Sequence, residues 1–315
     1  MSIDGIHHVT SVSGAPADTV RFYREVLGLR LLKKTVNFDD SGTYHLYFGD
    51  EVGSPGTSLT FFPYGEGRRG QAGRGQVTTT AFRVPTGALD YWADRLADHG
   101  VDAERGERFG ERRLRFTADD GLAYELVADD ADDDLTSWTE RVPADAAIRG
   151  FHGVTLTLGD AAATADVLET MGGERDGASG GAVRYRFREA GPGQVVDVVE
   201  DPDAPRGRGG PGTVHHVAFR VADDDAQAEW QERLRDAGQR VTEVKDRRYF
   251  RSVYFREPGG VLFEVATDGP GFTRDQDVAE LGEGLSLPPW LEDDRERIEA
   301  ALPDLEAAEG TEATR

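Results

Sequence analysis

The segment VHHVAFRV at residues 214–221 has a counterpart in VTTTAFRV at 77–84, and the match continues downstream. YWADRLADHGV (91–101) aligns with EWQERLRDAGQ (229–239), with Trp, Arg, Leu and Gly in the same places. DGLAYELVADD (120–130) then aligns with GGVLFEVATD (259–268), which sets Glu125 opposite Glu264. A weaker copy runs from GFHGVTLTL (150–158) through ATADVLETMGG to GQVVDVVED (193–201). The remaining copy comes first, from GIHHVTSVSG through DTVRFYREVLGL to YHLYFGD and TSLTFFPY. Self-similarity at an interval of roughly 70 residues says more about fold than any local propensity.

Each copy reads as a strand, a helix and three further strands. The opening strands alternate β-branched and polar residues, and the helices carry apolar residues at i, i+3, i+4 spacing. Gly28, Gly100, Gly172 and Gly238 stand just past the helices, where a residue of positive φ closes the last turn. A single unit is too small to bury its own core and must pair with a second. The fold expected is therefore α+β: four βαβββ modules paired into two cup-shaped, antiparallel-rich half-barrels with helices outside. Along the chain, residues 1–140 hold modules one and two, and 145–272 hold modules three and four. Linkers rich in Gly, Pro or charge lie at 64–75, 131–149 and 202–212. Residues 273–315 break the repeat. This extension is expected to clamp the body through Leu285, Leu287, Trp290, Ile298 and Leu302, with its last ten residues disordered.

Acidic residues outnumber basic ones 59 to 36, for a net charge of −23, and lysine occurs only at 33, 34 and 245. An acid surplus with so little lysine suggests a high-salt cytoplasm, as in a halophile. The negative field opposes nucleic acid or an anionic membrane as a partner. The runs Asp129–Asp134 and Asp223–Asp225 read as solvated loops and helix starts. The absence of cysteine excludes disulfides, thiolate metal sites and cysteine nucleophiles. No apolar run reaches membrane length and MSIDGIHHVT lacks a signal-peptide pattern, so a soluble, cytoplasmic protein is expected. A homodimer is compatible with the sequence.

His-His occurs twice, at 7–8 and 215–216, each time opening a strand. Period-two alternation separates the members of each pair. His215 falls in register with Val217, Phe219 and Val221, the apolar face; His216 falls with Ala218 and Arg220, the cup face. The same register aims His8 and Thr10 into a cup and sets His7 and His152 on the apolar side. On the last strand Val261, Phe263 and Val265 face the core, so Glu264 faces the cup. His8, His216 and Glu264 are thus candidate metal ligands, a two-histidine, one-carboxylate set with open coordination positions. That set suits Fe(II), and Mn(II) could occupy it. Ligand count then selects the module pairing. Equivalent first-strand positions hold His8, Thr79, Gly153 and His216, while last strands two to four hold Glu125, Asp197 and Glu264. Only pairing module one with module four assembles all three ligands, and it leaves the other cup without a histidine. A four-ligand glyoxalase-type site would want a carboxylate on module one's last strand, which offers Thr60, Phe61 and Phe62 instead.

These residues resemble the vicinal oxygen chelate superfamily of glyoxalase, bleomycin-resistance and extradiol dioxygenase proteins. Within it the chain is similar to hydroquinone-type ring-cleaving dioxygenases over nearly its whole length. The joined motif DRRYF–SVYFREPGGVLFE (246–250, 252–264) is the most specific part, supported by RFGERRLRF, RGFHGVTL and LGEGLSLPPWLE. The resemblance implies the same metal triad, His8, His216 and Glu264. It also implies that Tyr254 and Arg247 lie beside the bound ring, and that His215 and Thr10 are polar neighbours of the metal. Its implied activity is Fe(II)-dependent ring cleavage of a dihydroxylated aromatic, a hydroquinone or catechol, with O₂ as co-substrate. Tyr254 or His215 would move protons. Two rivals remain on sequence alone: a glyoxalase-like isomerase or lyase, and a non-enzymatic binder of aromatic or quinone compounds.

Overall fold

The computed structural model describes residues 3–65, 67–131, 134–187 and 191–305. The disorder expected over the last ten residues, and part of the Asp129–Asp134 run, fall outside the described residues.

Module one comprises β1 (Ile6–Ser13), α1 (Pro16–Arg21), β2 (Arg30–Asn37), β3 (Asp40–Gly49) and β4 (Ser58–Pro63). Module two comprises β5 (Gln76–Val84), α2 (Leu89–Asp98), β6 (Ala103–Arg108), β7 (Glu111–Thr117) and β8 (Ala123–Ala128). Module three comprises β9 (Phe151–Leu158), α3 (Ala162–Thr170), β10 (Glu174–Ser179), β11 (Ala182–Arg186) and β12 (Val195–Glu200). Module four comprises β13 (Thr213–Val221), α4 (Asp224–Asp236), β14 (Lys245–Asp246), β15 (Arg251–Arg256) and β16 (Leu262–Thr267). The four helix-ending glycines all have positive φ, from 67° at Gly28 to 93° at Gly172. The helix α4 shows why such segments fold locally. The Asp223 carboxylate accepts from Ala226 N–H at 2.9 Å, Asp224 and Asp225 fill the first turn, and Arg233 and Arg235 the last. Its buried stripe is Ala226, Gln227, Trp230 and Leu234. The helix α1 starts on Pro16 and ends by widening into a π turn over Phe22–Val26, with Leu27 N–H donating to Phe22 O at 3.2 Å.

Two eight-stranded mixed sheets result, and each cuts across the sequence halves. One runs β14-β15-β16-β13-β1-β4-β3-β2, joining modules four and one; the other runs β10-β11-β12-β9-β5-β8-β7-β6, joining three and two. In each module the first and last strands pair in parallel, and the modules meet through the antiparallel pairs β1–β13 and β5–β9. The pairing chosen by ligand count is the one observed. A continuous core of residues such as Ile6, Val9, Phe82, Trp92, Phe151, Phe219 and Trp230 ties both sheets to the helices. Tyr23 of the π turn hydrogen-bonds Tyr124 of β8 at 2.8 Å, linking one sheet's module to the other's.

Four β-bulges correct the alternation argument. The extra residues are His7 and His215 in the β1–β13 pair, and Thr78 and His152 in the β5–β9 pair. These are equivalent positions of the four modules, each immediately before the residue that enters the cup. A bulge inserts one residue and resets the facing of what precedes it. His7, His152 and His215 therefore do not join the apolar register. His7 packs edge-on against Phe250 and His8. His152 Nε2 donates to Glu111 Oε1 at 3.1 Å, inside the cup expected to lack histidine.

Beyond β16, the extension lies along β2 and β3. Leu287 and Ile298 are buried against Val36, with Phe38, Leu285, Leu291 and Leu302 around them. Trp290 differs from its expected role: it is 55% exposed and meets Phe38 edge-on, 5.7 Å between ring centres. Lys33 is fully buried and donates to Asp275 Oδ1 at 2.6 Å, a second tie of the extension to β2. Asp129, expected in a solvated loop, instead pairs with the buried Arg83 at 3.0 Å. No helix among the described residues is long and apolar enough to cross a membrane.

Candidate metal centre

The parallel ladder β13–β16 sets Ala218 beside Glu264, and the antiparallel ladder β1–β13 sets Ala218 beside His8. Small Ala218 at the crossing leaves room for both larger side chains on its flanks. His8, His216 and Glu264 converge there with one donor atom of each within 4.8 Å of the others, all three buried. His8 Nε2 lies 3.3 Å from His216 Nε2. Glu264 Oε2 lies 2.9 Å from His216 Nε2 and 3.4 Å from His8 Nε2.

Donor atoms held about 2.1 Å from one ion at right angles stand about 3.0 Å apart, close to all three separations. Glu264 Oε2 is fully buried, and neither imidazole approaches it with hydrogen-bond geometry. An unpartnered buried carboxylate oxygen is costly, and a cation between the three groups removes that cost. The electrostatics agree with this arrangement. Burial pushes the Glu264 carboxyl up, but His8 and His216 outweigh it and hold the group well below the usual carboxylate range. Burial pushes His216 down, against the pull of Glu264. An ionised carboxylate with a neutral imidazole is the protonation state that a divalent cation requires. The residues present fit a bound divalent metal.

Neighbouring groups orient the ligands. Ser252 Oγ donates to Glu264 Oε1 from the paired strand β15. His7 Nδ1 sits 2.9 Å from His8 Nδ1, and His215 Nδ1 2.7 Å from His216 Nδ1. In both pairs the bulge histidine engages the far ring nitrogen and leaves Nε2 facing the triad, the usual way a protein fixes the tautomer of a ligating imidazole. Burial lowers the His215 pKa to about 3, with His216 adding to the shift, so it is a neutral partner.

The site opens on a cavity of about 300 Å³ lined by His8, Thr10, His45, Tyr47, Phe62, Phe250, Tyr254 and Arg247 among others. Arg247 Nε donates to Tyr254 Oη at 3.0 Å, and its Nη1 reaches Asp39 at 3.2 Å across the cavity mouth. Burial, then the Glu264 charge, push the Tyr254 phenol above its usual range, so it carries its proton. Thr10 Oγ1 shares a 2.8 Å hydrogen bond with Thr60 Oγ1. The ladder places Thr60 on β4 beside Thr10, the position equivalent to Glu264 beside Ala218. A hydroxyl thus stands where a fourth carboxylate ligand would.

Two contributors escaped the sequence reading. His45 on β3 bonds Thr60 at 3.0 Å and Tyr47 at 2.8 Å and stacks near Phe62; the alternation of YHLYF, with Leu46 and Phe48 in the core, carried that signal. Glu257 is buried and accepts from Gly259 N–H at 2.8 Å and Val261 N–H at 2.7 Å, holding the EPGGV turn that delivers β16.

The other cup is closed by charge. Glu125 and Asp197, on the last strands of modules two and three, meet Arg108, Arg113 and Arg184, all buried. Arg184 grips Asp197 with two parallel bonds of 2.8 and 3.0 Å. Glu111 joins Arg113, Arg184 and His152, and its pKa falls to about 2 because His152 and Arg184 outweigh its burial.

Comparison with known proteins agrees with this architecture. Residues 5–126 and 179–265 match the model of the Glyoxalase/Bleomycin resistance protein/Dioxygenase superfamily. The chain is 47% identical over 309 residues, 97% of each chain, to a Bacillus subtilis (strain 168) protein named "Putative ring-cleaving dioxygenase MhqO". It is 36% identical over 313 residues to the chlorohydroquinone/hydroquinone 1,2-dioxygenase of Sphingobium indicum, covering 96% of this chain and 97% of that one. A crystal structure described as a "putative dioxygenase" from Bacillus subtilis subsp. subtilis str. 168 superposes with TM-score 0.93 at 46% identity, covering 97% and 98% of the two chains. Glyoxalase I from Zea mays shares the fold at TM-score 0.58 and 16% identity, over 84% of this chain and 92% of that one.

Proposed function

We infer the function of this chain from the family to which it belongs, the Glyoxalase/Bleomycin resistance protein/Dioxygenase superfamily: it is a ring-cleaving dioxygenase that inserts O₂ into a dihydroxylated aromatic. A hydroquinone, chlorinated or not, is the favoured substrate class, following the name of the Sphingobium relative. His8, His216 and Glu264 would hold the metal, Fe(II) in the first instance and Mn(II) as the alternative. The convergence of those three donors around an unpartnered carboxylate oxygen is the observation that carries the reading.

When bound, such a metal supplies the redox step and open positions for the diol oxygen and O₂. The chain's own residues bind, orient and shuttle protons. The Phe62 and Phe250 rings supply apolar walls for an aromatic substrate in the 300 Å³ cavity. Arg247 presents positive charge beside the substrate oxygen and fixes Tyr254 through the 3.0 Å bond. Tyr254, protonated, donates to a developing oxyanion, and His215 lines the same cavity as a second polar group beside the substrate oxygens. Thr10 and Thr60 present hydroxyls to the same space. Replacement of a fourth carboxylate by Thr60 favours oxygenase over four-ligand isomerase chemistry. The net charge of −23 supports a high-salt cytoplasmic setting. The test is anaerobic reconstitution with Fe(II), followed by oxygen-electrode assay against hydroquinones, chlorohydroquinones and catechols. Metal-dependent O₂ uptake is expected. Turnover that proceeds without O₂ would overturn the reading.

A further inference from the structure

A second cavity, of about 670 Å³, lies on the other side of the His215–His216 pair and shares His215, His216 and Leu262 with the metal-side cavity. Its wall carries Arg74, Arg206 and Arg256. Elsewhere in this acidic chain Arg83, Arg113, Arg184, Arg220 and Arg247 each lie against a carboxylate. None of the three cavity arginines has a carboxylate within salt-bridge distance among the described residues. Arg74 Nε is buried without a hydrogen-bond partner, as is Gln76 Oε1 beside it, and Arg256 reaches only the carbonyl of Gly260. The single carboxylate on the wall, Asp160, already accepts from Ala162 N–H at 2.9 Å. Glycines keep the space open. A Cβ at Gly207 would come within 2.3 Å of Gln76 Oε1, and one at Gly159 within 3.2 Å of Arg74 Nη1.

We propose that this cavity is an anion subsite which takes the carboxylate of the ring-opened product, with Arg74, Arg206 and Arg256 as its cationic wall. The proposal rests on the ring-cleavage reading. In that reaction the bond between the hydroxyl-bearing ring carbon and its neighbour breaks, and both atoms of O₂ are retained. One oxygen makes the first carbon a carboxyl; the other makes its neighbour an aldehyde. The ring is oxidised, O₂ is reduced, and no further reductant is needed. A neutral diol thus becomes an anion at pH 7. Guanidinium groups with no internal carboxylate bind external carboxylates through charge-assisted, often bidentate bonds. The aromatic-lined cavity suits the diol, the arginine-lined one suits the acid, and the two share His215, His216 and Leu262 as a common wall. Gln76 Oε1 offers an acceptor to a hydroxyl of the same product.

Maleate, a short unsaturated dicarboxylate, serves as the probe, by calorimetric titration of the metal-loaded full-length protein. Saturable one-to-one binding is expected, weakened about ten-fold by Arg206→Gln and further by Arg74→Gln with Arg256→Gln, while Arg256→Lys retains most of the affinity. Arg206 is exposed, so its substitution tests the site even if the double variant fails to fold. No binding at millimolar maleate, or an affinity indifferent to Arg206→Gln, would overturn the proposal. Oxygen uptake on the same samples reports ring cleavage separately. Uptake without maleate binding removes the anion subsite alone, whereas arginine-dependent maleate binding without uptake removes the ring-cleavage reading.

Discussion

The two cups are made from equivalent strand pairs, β1–β13 and β5–β9, in the same register, yet imidazoles meet the carboxylate in one and arginines meet the carboxylates in the other. At the four equivalent last-strand positions stand Thr60, Glu125, Asp197 and Glu264; at the first-strand positions stand His8, Thr79, Gly153 and His216. Where carboxylate meets imidazole, the centre retains an unpartnered oxygen and open space. Where carboxylate meets arginine, every charge is answered from within: Arg108, Arg113 and Arg184 neutralise Glu111, Glu125 and Asp197. A buried charge must be matched either by the protein or by something from outside. The difference between a reactive cup and a structural one is which of these options the side chains select.

The largest expected effect comes from removing a ligand. His216→Ala should abolish metal retention and lower oxygen uptake by about a thousand-fold or more, with metal content and turnover as readouts. Wild-type activity in that variant would break the contrast between the cups. In the other cup, Arg184→Met leaves the buried Asp197 without its two-bond partner and removes one cation from the partly buried Glu111. It should cost about 3–5 kcal/mol in urea unfolding and leave metal content per folded molecule unchanged. Glu111 sharpens the point through pH. Its folded pKa of about 2 lies below its ordinary value of 4.5, so its stabilisation is complete above pH 4.5 and is lost as pH falls through 2. Glu111→Gln should therefore be destabilised by about 2–3 kcal/mol near pH 7, and the gap from wild type should shrink steadily below pH 4.5. The smallest effect belongs to Tyr254→Phe, which should lower turnover by about ten- to a hundred-fold without loss of metal.

Much of this was legible in the residues. Repetition revealed the modules, and the scarcity of paired histidines and carboxylates at equivalent positions selected the pairing of module one with module four. Alternation brought Glu264, His8 and Tyr254 to one face because the strands are regular from those positions onward. Facing failed at His7, His152 and His215 because a bulge depends on the partner strand's register, which one strand's pattern does not contain. The ion lattice was hidden for a similar reason. Arg108 ends β6, Arg113 lies on β7 and Arg184 on β11, and only the strand pairing brings them over carboxylates on β8 and β12.

The pairing of β1 with β13 also orders events in time. His8 leaves the ribosome 208 residues before His216, and Glu264 later still. At about 5–20 residues per second, the first histidine waits roughly 10–40 s for the second. During that interval modules two and three can close their own sheet, while β1 has one edge against β4 and the other open. The nascent protein can thus form its charged half first, and the His8, His216 and Glu264 cluster assembles only after Glu264 has been made.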